Sequence, residues 1–536
     1  MSKNKVLIIR ILITLLLTGL LYYFFLPPIN ITSMDFWVFL LYIVGIFYIT
    51  SFLNVVNITE IFTSRRTFSS RIIKAGIIPI CIAGIFVLIT LTNFVLSPLF
   101  RSKSYSKRIT IDESHEFVED VKEVNFNALP LLDKESSSKL GDRVMGQMPE
   151  LVSQFYVSDL YTQINYNDEI VRVTPLEYNG FFKFLSNRKD GVKGYITVNS
   201  VSGESTLVKL EKGMKYMPSA MFSKDLYRHL RFKYPTYIFG QESFEIDNEG
   251  NPYWIVPVLK HEGISIKTDV QGVIILNPIT GASKKYDLED VPTWVDHVYS
   301  ASLIIEQVND WGKYRNGYFN SIFGQKNVVA TTTGYNYTVM NDDVYLYTGI
   351  TSAASDESNL GFILTNLRTK ETKFYKVPGA EEYSAMSSAE GQVQQMKYKA
   401  SFPLLINLSN RPTYLVSLKD NAGLVKMYAF VDVEDYQKVV VTDASKGIEV
   451  AAKNYLNDVG TEINVDDIKT KQITIKSIKD AIIDGNTYYY ITDTDNQKYR
   501  VSIKVDKTNL PFLNTNQTIE IEYSNDNEVI EITNIK

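Results

Sequence analysis

The stretch GYITVNSVSGESTLVKL, residues 194–210, has the pattern of a β-hairpin. A short apolar run leads to Asn199, Ser202 follows three residues later, and a second alternating run ends the stretch. Asn and Ser side chains bond the local backbone and tolerate its dihedrals, so they punctuate two strands. Two stretches align with this one without gaps, and a weaker copy follows: GVIILNPITGASKKYDL from Gly272, GFILTNLRTKETKFYKV from Gly361 and GLVKMYAFVDVEDYQKVV from Gly423. The sequence therefore predicts a hairpin that recurs along the chain.

Further strands and helices are predicted next to the copies of this hairpin. An aromatic strand is predicted upstream of three copies, at residues 252–260, 343–351 and 412–420. Helical stretches fall between copies, at residues 292–311 and 445–460. An antiparallel sheet that buries a helix on one face satisfies this order, so the pattern predicts α+β modules.

The turns of these hairpins resemble a known motif. The stretches NSVSGES and NPITGAS are similar to the DxxTGE-like turns of PepSY domains, and the resemblance covers residues 194–460. It implies tandem PepSY-like modules, each an antiparallel sheet plus a helix.

The tail, residues 469–536, predicts about five alternating strands joined by polar turns. A small β-barrel of the OB or SH3 type would close such strands without leaving an exposed edge. Some OB barrels bind nucleic acid, and Tyr488, Tyr489 and Tyr490 could be interpreted in that way. The net charge of −5 gives no basic footprint, so we expect no nucleic-acid partner.

Three apolar segments are long enough to cross a bilayer, which requires about 20 residues. They cover residues 6–26, 36–56 and 75–96, and they predict a three-helix membrane anchor over residues 1–98. Beyond it we expect a connecting region at 99–175, α+β modules at 176–300 and 301–465, and the barrel at 469–536.

Basic residues in the short loops predict the orientation of this anchor. The loop before the third span is basic, whereas the loop between the first two spans is not; the basic positions are Arg65, Arg66, Arg71 and Lys74. This places the N-terminus in the cytoplasm and everything after Leu96 outside. Four basic residues after the third span oppose this orientation: Arg101, Lys103, Lys107 and Arg108.

The stretch Ser64 to Phe68 also has the form of a twin-arginine export signal. Such a signal normally begins a chain, whereas this one follows two apolar spans. A basic cytoplasmic loop explains the same residues, and both interpretations export the C-terminal part.

The motifs of common catalytic and metal sites are missing from the sequence. The four histidines have no metal-ligand spacing, and the only cysteine, Cys81, lies in an apolar run. No nucleophile elbow and no phosphate-binding loop occurs. We therefore expect no enzyme, no cofactor and no metal. Carboxylate pairs far apart in sequence keep a cell-wall hydrolase open as an alternative.

One segment, DWGKYRNGYFNSIFGQ at residues 310–325, has the composition of a binding hot spot. We assign a possible partner-binding role to five of its residues: Trp311, Tyr314, Arg315, Tyr318 and Phe319. The alternative is a helix-to-strand corner that buries its aromatic side chains.

Over residues 171–431 the chain also resembles a family of multi-span membrane proteins of Gram-positive (Firmicutes) bacteria. Its members carry the labels CvpA family protein and twin-arginine pathway signal. The resemblance rests on VRVTPLEYNGFFKFLSNRKDG, DLYRHLRFKYPTYIF, EIDNEGNPYWIVPV, SIFGQKNV, DVYLYTGITSAASDESNLGFIL, RTKETKFY, AMSSAEGQVQ and NAGLVKMYAFV. The family has no settled activity, so the resemblance implies architecture and membrane location only.

These observations predict a non-enzymatic, membrane-anchored cell-envelope protein whose exterior modules bind or scaffold protein partners. A subunit of a transporter or secretion complex is a second alternative beside the hydrolase. Small residues in the spans, Gly45, Gly76 and Gly84, would permit close helix packing in a homo-oligomer.

Overall fold

The computed structural model describes residues 3–53, 82–126, 129–353, 358–459, 469–483, 486–503, 505–506, 508–523 and 529–535. Over these residues the protein is a mixed α+β structure with apolar helices near the N-terminus and several small sheets. The twin-arginine-like stretch, Cys81 and the start of the third predicted span lie outside the described residues.

The helices near the N-terminus are apolar, and several later ones begin at side-chain caps. Asp133, Asp225 and Ser300 each accept a hydrogen bond from a backbone N–H in the first turn of the following helix. The helices are α1 Lys3–Phe25, α2 Met34–Leu53, α3 Ile82–Val95, α4 Pro98–Tyr105, α5 Phe117–Asp120, α6 Lys134–Gly146, α7 Pro149–Val152, α8 Phe181–Asn187, α9 Leu226–Lys233, α10 Ala301–Tyr314, α11 Glu382–Gln392 and α12 Ile448–Asp458.

By length and composition, α1 can cross a membrane, and almost none of its apolar stretch Ile8–Phe25 is buried inside the protein. The helices α3 and α4 meet at a bend of 51° and count as a second candidate only if the pair is one broken span. The apolar part of α2, Met34–Thr50, is shorter. Among the described residues, therefore, one helix qualifies as a span, or two with the bent pair.

Four sheets share one strand order. In each, a long central strand pairs along one edge with two short consecutive strands and along the other edge with a hairpin. The third sheet gains β1, parallel to β16, and β17. The strands are β1 Ile111–His115, β2 Phe155–Val157, β3 Thr162–Tyr166, β4 Glu169–Tyr178, β5 Val192–Asn199, β6 Ser205–Met214, β7 Ile238–Phe239, β8 Ser243–Ile246, β9 Pro252–His261, β10 Thr268–Leu276, β11 Ser283–Tyr286, β12 Val329–Thr331, β13 Asn336–Met340, β14 Asp343–Ser352, β15 Ser358–Asn366, β16 Thr372–Tyr375, β17 Gly379–Ala380, β18 Lys399–Ala400, β19 Leu404–Leu408, β20 Arg411–Lys419, β21 Val425–Asp432 and β22 Val439–Asp443.

The central strands are β4, β9, β14 and β20, and the last three are the aromatic strands predicted from the sequence. Nearly all of their consecutive side chains are buried, because both faces of each sheet are covered. Two boundaries are informative. The predicted start of the modules at residue 176 falls inside β4, so the first sheet begins within the predicted connecting region. The predicted boundary at residue 301 is the first residue of α10.

The hairpin turns have the same hydrogen bonds in all four sheets. A side-chain oxygen at the end of the first strand accepts from the backbone N–H groups two and three residues later, at 2.9–3.0 Å. The residues that supply it are Asn199, Asn277, Asn366 and Asp432. These Asx turns need no contact beyond the turn itself, which is why the sequence pattern located them.

The C-terminal strands pair in a closed ring in the order β23-β24-β25-β27-β26. A parallel pairing of β25 with β27 closes it, and the interior is filled by aliphatic side chains and Tyr499. The strands are β23 Lys469–Ile483, β24 Asn486–Asp493, β25 Lys498–Ser502, β26 Thr518–Tyr523 and β27 Val529–Ile535.

The second sheet contacts the ends of the apolar helices. The loop between α1 and α2, residues 27–33, lies against it. Ile29 N donates to Pro235 O at 2.7 Å, and Ser265 N donates to Thr32 O at 2.8 Å. The sheet is thus joined to this loop by backbone hydrogen bonds.

The other helix ends are held in the same way. Asn93, near the end of α3, donates from Nδ2 to Ile264 O and accepts from Ile264 N, both at 2.9 Å. Arg231 of α9 donates from Nε to Leu26 O, just after α1, at 2.9 Å. We call these contacts, together with those of the α1–α2 loop, the helix-end seat.

Candidate functional site

The structure separates the five residues predicted to bind a partner. Trp311 and Tyr314 are buried side chains of α10. Trp311 packs in the core with residues of the third sheet, whereas Tyr314 contacts Tyr105 of α4. Arg315 lies over the Trp311 ring, with its guanidinium carbon 4.6 Å from the ring centroid, and Tyr318 stacks on Tyr314 at 6.3 Å. Phe319 is 65% exposed. Of the five, Phe319 presents the most apolar surface.

Two further apolar residues join Phe319 at the surface. The π-helical turn Asn320–Gly324 brings out Ile322, 46% exposed, and Phe323, 80% exposed. We call residues 318–324 the aromatic turn. The spacing of 319, 322 and 323 is helical, and this period was the sequence signal that could have identified the two additional residues.

Hydrogen bonds around one side chain hold the aromatic turn. Asn320 donates from Nδ2 to Lys326 O at 3.0 Å and accepts from Lys326 N at 3.2 Å. Gln325 N closes the turn on Asn320 O at 2.7 Å. The exposed side chains therefore project from an ordered turn.

The aromatic turn follows the end of α10 that lies beside α4. The ring centroids of Tyr314 and Tyr105 are 5.9 Å apart. One turn earlier, Asp310 pairs with Arg108. Exposed cations lie on α4, on α10 and in the segments that follow these helices: Arg101, Lys103, Lys107, Lys313 and Lys326.

A cavity of about 490 Å³ lies where the four sheets meet. The first sheet supplies Gln163 and Arg172, the third sheet supplies Tyr337, and Phe402 comes from the loop between β18 and β19 of the fourth. Pro257 of the second sheet completes the apolar part of the wall. The volume is that of a small-ligand site.

Gln163 and Arg172 are directly opposite each other on β3 and β4. Opposed residues of an antiparallel pair project to the same face, with Cβ atoms about 5 Å apart. Arg172 is 4% exposed and Gln163 is 1% exposed. One strand pair thus brings a guanidinium and an amide side by side to the cavity wall.

Both side chains lack the partners that such burial normally demands. Neither Nε2 nor Oε1 of Gln163 has a hydrogen-bond partner among the described residues. Arg172 Nε donates to Leu132 O at 3.4 Å, and within the described part of the chain no carboxylate lies within 4 Å of its guanidinium. Burial lowers the pKa of Arg172 to about 10, which leaves it charged at neutral pH.

Two carboxylates, Asp133 and Glu242, line the cavity, and each already has a partner. Asp133 pairs with Lys419. Burial acts to raise the pKa of Asp133, but the bond and charge of Lys419 outweigh it and lower that pKa. Glu242 accepts from the hydroxyl of Tyr227. The hydroxyl of Tyr227 brings no charge to Glu242, and the charge of Asp133 also acts to raise the pKa of Arg172. The cations of the cavity wall are Arg172 and the exposed Lys134.

A buried carboxyl pair positions one wall of the cavity. Glu245 accepts from Asp296 N at 2.8 Å and from His297 N at 3.2 Å. Burial, and then the neighbouring Glu245, raise the pKa of Asp296, so its neutral form is favoured. His297 lines the cavity and donates from Nε2 to Gln163 O at 2.7 Å. This chain of bonds orients β3 and with it Gln163.

Sequence reasoning missed Gln163 and Arg172. The available signal was a charge in the middle of EIVRVTPLEY, residues 169–178, where the surrounding strand is apolar.

The sequence also predicted that the chain binds no metal ion. The parts of the chain that the structure describes hold no group of three or more His, Cys, Asp or Glu side chains placed to bind a metal ion.

No protein-family model and no curated protein matches this sequence. Two solved structures are similar over part of the chain. A sialidase of Trypanosoma rangeli, in complex with 2-keto-3-deoxy-D-glycero-D-galacto-2,3-difluoro-nononic acid, is 9% identical with a TM-score of 0.16 and covers 71% of this chain. A cobalt-substituted ACO of Synechocystis is 8% identical with a TM-score of 0.12 and covers 54%. This chain spans about half the length of each, 53% and 47%.

Proposed function

We propose that this chain is a non-enzymatic, membrane-anchored cell-envelope protein whose extracytoplasmic sheets bind a protein partner. Three helices form the anchor, with the N-terminus in the cytoplasm. The recurring strand order supports tandem PepSY-like modules, and the closed ring of five strands supports an OB- or SH3-like barrel. The resemblance to Firmicutes membrane proteins supports a Gram-positive source.

The observation that carries this proposal is the helix-end seat. Most apolar side chains of α1 between Ile8 and Phe25 are exposed, which water would disfavour at about 25 cal/mol per Å². Polar contacts are concentrated instead at the helix ends, through Asn93, Arg231 and the backbone of the α1–α2 loop. This distribution suits helices in a bilayer with the sheets seated on one surface. A rigid seat holds binding sites at a fixed height, which a flexible linker does not.

The aromatic turn adds a contact with the lipid surface. It lies at the end of α10 beside α4, the short helix that directly follows α3. Exposed Phe319, Ile322 and Phe323 next to cations have the chemistry of an interfacial membrane contact. The four basic residues after the third predicted span, which oppose the predicted orientation, are then interfacial residues that face lipid headgroups: Arg101, Lys103, Lys107 and Arg108.

Cysteine labelling tests the anchor and its orientation. In a Cys81→Ala background, single cysteines replace Phe182 in the first module or Phe512 in the barrel, both exposed. We expect a membrane-impermeant maleimide to label both in intact protoplasts, and to label Ser2→Cys only after lysis. Protection of the two module sites until lysis would overturn the proposal.

The number of spans has its own controls. With three spans, Ile31→Cys in the first loop is labelled from outside and Ser64→Cys in the second loop only after lysis. With a single span, both are labelled from outside, and the three-helix anchor is wrong.

Fluorescence tests the lipid contact of the aromatic turn. A bimane dye on Phe323→Cys should be quenched by brominated lipids in nanodiscs, whereas the same dye on Phe182→Cys should not. Equal quenching at both positions, or none at Phe323→Cys, contradicts a lipid-facing turn.

A further inference from the structure

The strongest unexplained feature of the molecule is the pair Gln163 and Arg172. Among the described residues, the buried side-chain amide of Gln163 has no hydrogen-bond partner and the buried guanidinium of Arg172 has no carboxylate within 4 Å, and burial in that state costs folding free energy. Both line the same cavity, from directly opposed positions on two strands. Such groups are retained where a ligand satisfies them.

The chemistry of the two side chains defines what they would bind. A guanidinium presents parallel N–H groups that match the two oxygens of a carboxylate. A glutamine amide presents one carbonyl acceptor and an NH₂ donor, which complement the N–H and C=O of a peptide group. A carboxylate one residue away from a peptide group is the end of a polypeptide chain.

The rest of the cavity wall fits the same ligand. Tyr337 and Phe402 provide aromatic surface for a side chain, and Pro257 adds apolar surface. Burial raises the pKa of Tyr337, so its hydroxyl stays protonated and can donate. A volume of about 490 Å³ holds two or three residues but not a folded domain.

We propose that this cavity binds the carboxyl terminus of a peptide, with the terminal carboxylate on Arg172 and the preceding peptide group on Gln163. This inference rests on the proposed function, because it names the chemistry of the protein partner. It adds that the partner is recognised by its last two or three residues. No bond is made or broken.

Binding to the full chain in nanodiscs tests the proposal. The probes are N-acetylated tripeptides ending in Ala, Leu, Phe or Lys, each as the free acid and as the C-terminal amide, with acetate and inorganic phosphate as small anions. Titration calorimetry should show binding of at least one free acid. The matching amide should bind at least 10-fold more weakly, because it brings no charge to Arg172. Acetate should bind more weakly than the peptide, because it leaves Gln163 unpaired.

Three variants separate recognition from folding. Arg172→Lys keeps the charge but loses the parallel N–H groups of the guanidinium, and it should weaken binding of the free acid at least 10-fold. Gln163→Leu removes the amide and should weaken that binding at least 3-fold. Gln307→Leu is the matched control, a fully buried glutamine of α10 outside this cavity. It should leave affinity unchanged.

A thermal melt of Arg172→Met provides an independent readout. Removal of a buried charge that, in the described part of the chain, has no carboxylate within 4 Å should leave the melting temperature unchanged or raise it. A lower melting temperature would mean that Arg172 is a structural residue, and it would overturn the proposal.

The binding results also have outcomes that contradict the proposal. Equal affinity for acid and amide, tighter binding of phosphate, or no binding of any probe would each overturn it. These results are distinguishable from failure of the proposed function, because purified protein reports on the cavity and labelling of protoplasts reports on location.

Discussion

The guanidinium of Arg231 in α9 donates a 2.9 Å hydrogen bond to the carbonyl of Leu26, at the end of α1. The two residues are 205 positions apart in the chain. The same guanidinium also bonds the carbonyl of Tyr237 and lies over the Phe239 ring, 4.3 Å from its centroid. One buried side chain thus joins the second sheet to the apolar helices.

Replacement of this side chain should loosen the seat. We expect Arg231→Ala to lower the free energy of unfolding of the sheets by about 2–3 kcal/mol, because buried carbonyls lose a charged donor. Chemical denaturation of the full chain in micelles measures this. Arg188→Ala is the control, because this exposed arginine directly follows α8, and it should change stability by less than about 0.5 kcal/mol. Equal effects of both variants would contradict the role of Arg231.

Glu382, at the start of α11, should make stability depend on pH. Burial raises its pKa to about 7 from an ordinary value of 4.5. The native state then favours the protonated acid, so stability is intact below pH 4.5 and declines as the pH rises to about 7. A difference of one between the pKa values of the folded and unfolded states corresponds to about 1.4 kcal/mol, so the loss between pH 5 and pH 8 should be about 2–3 kcal/mol.

The variant Glu382→Gln stays neutral, so its free energy of unfolding should fall much less between pH 5 and pH 8. Unfolding free energies of the variant at pH 5 and pH 8 measure it, with Glu150→Gln, an exposed carboxyl of α7, as control. A decline in Glu382→Gln as large as in the parent protein would show that other groups cause the pH dependence.

Two helical glycines should respond oppositely to alanine. A Cβ on Gly312 of α10 would lie 2.2 Å from Val329 O of β12, so Gly312→Ala must separate the helix from the third sheet. We expect a loss of about 1–3 kcal/mol. Nothing lies within 4 Å of a Cβ on Gly391 of α11, so Gly391→Ala should gain up to about 1 kcal/mol from helix propensity. Thermal melts of the two variants distinguish these signs, and a neutral Gly312→Ala would contradict the close approach.

The hairpin turns should not contribute equally to stability. Asn277 supports its turn by accepting from two backbone N–H groups, so Asn277→Ala should cost about 1 kcal/mol. Asn366 does the same and also donates from Nδ2 to the buried Asp343 at 2.7 Å. We therefore expect Asn366→Ala to cost about 2–3 kcal/mol, because a charge-assisted bond is lost as well. Denaturant midpoints compare the two, and a larger cost at Asn277 would contradict this difference.

Some features could be predicted from the sequence because their causes are local. The turns at Asn199, Asn277 and Asn366 are set by side-chain oxygens and backbone N–H groups within three residues. In the sequence, the strands next to these turns are recognisable by their alternation of apolar and polar residues. The apolar helix near the N-terminus is also visible in composition, since a span is defined by its own length.

The candidate sites depended on contacts between distant residues. Trp311 and Phe319 belong to one segment of similar composition, yet one is buried and the other exposed. Trp311 lies on α10 and packs in the core with the third sheet, whereas Phe319 lies beyond the end of that helix, in the aromatic turn. The spacing of Phe319, Ile322 and Phe323 was a visible signal for the rest of the surface patch.

The sequence by itself thus determined the turns, the alternation of the strands and the apolar helix, since each is a short-range property. Only the tertiary structure decided that Gln163 lies opposite Arg172, that residues of several sheets line a cavity beside them, and that Arg231 reaches Leu26. Those relationships come from the burial of sheet faces against one another and against helices, and this long-range packing selects one register and one arrangement among many with the same local pattern.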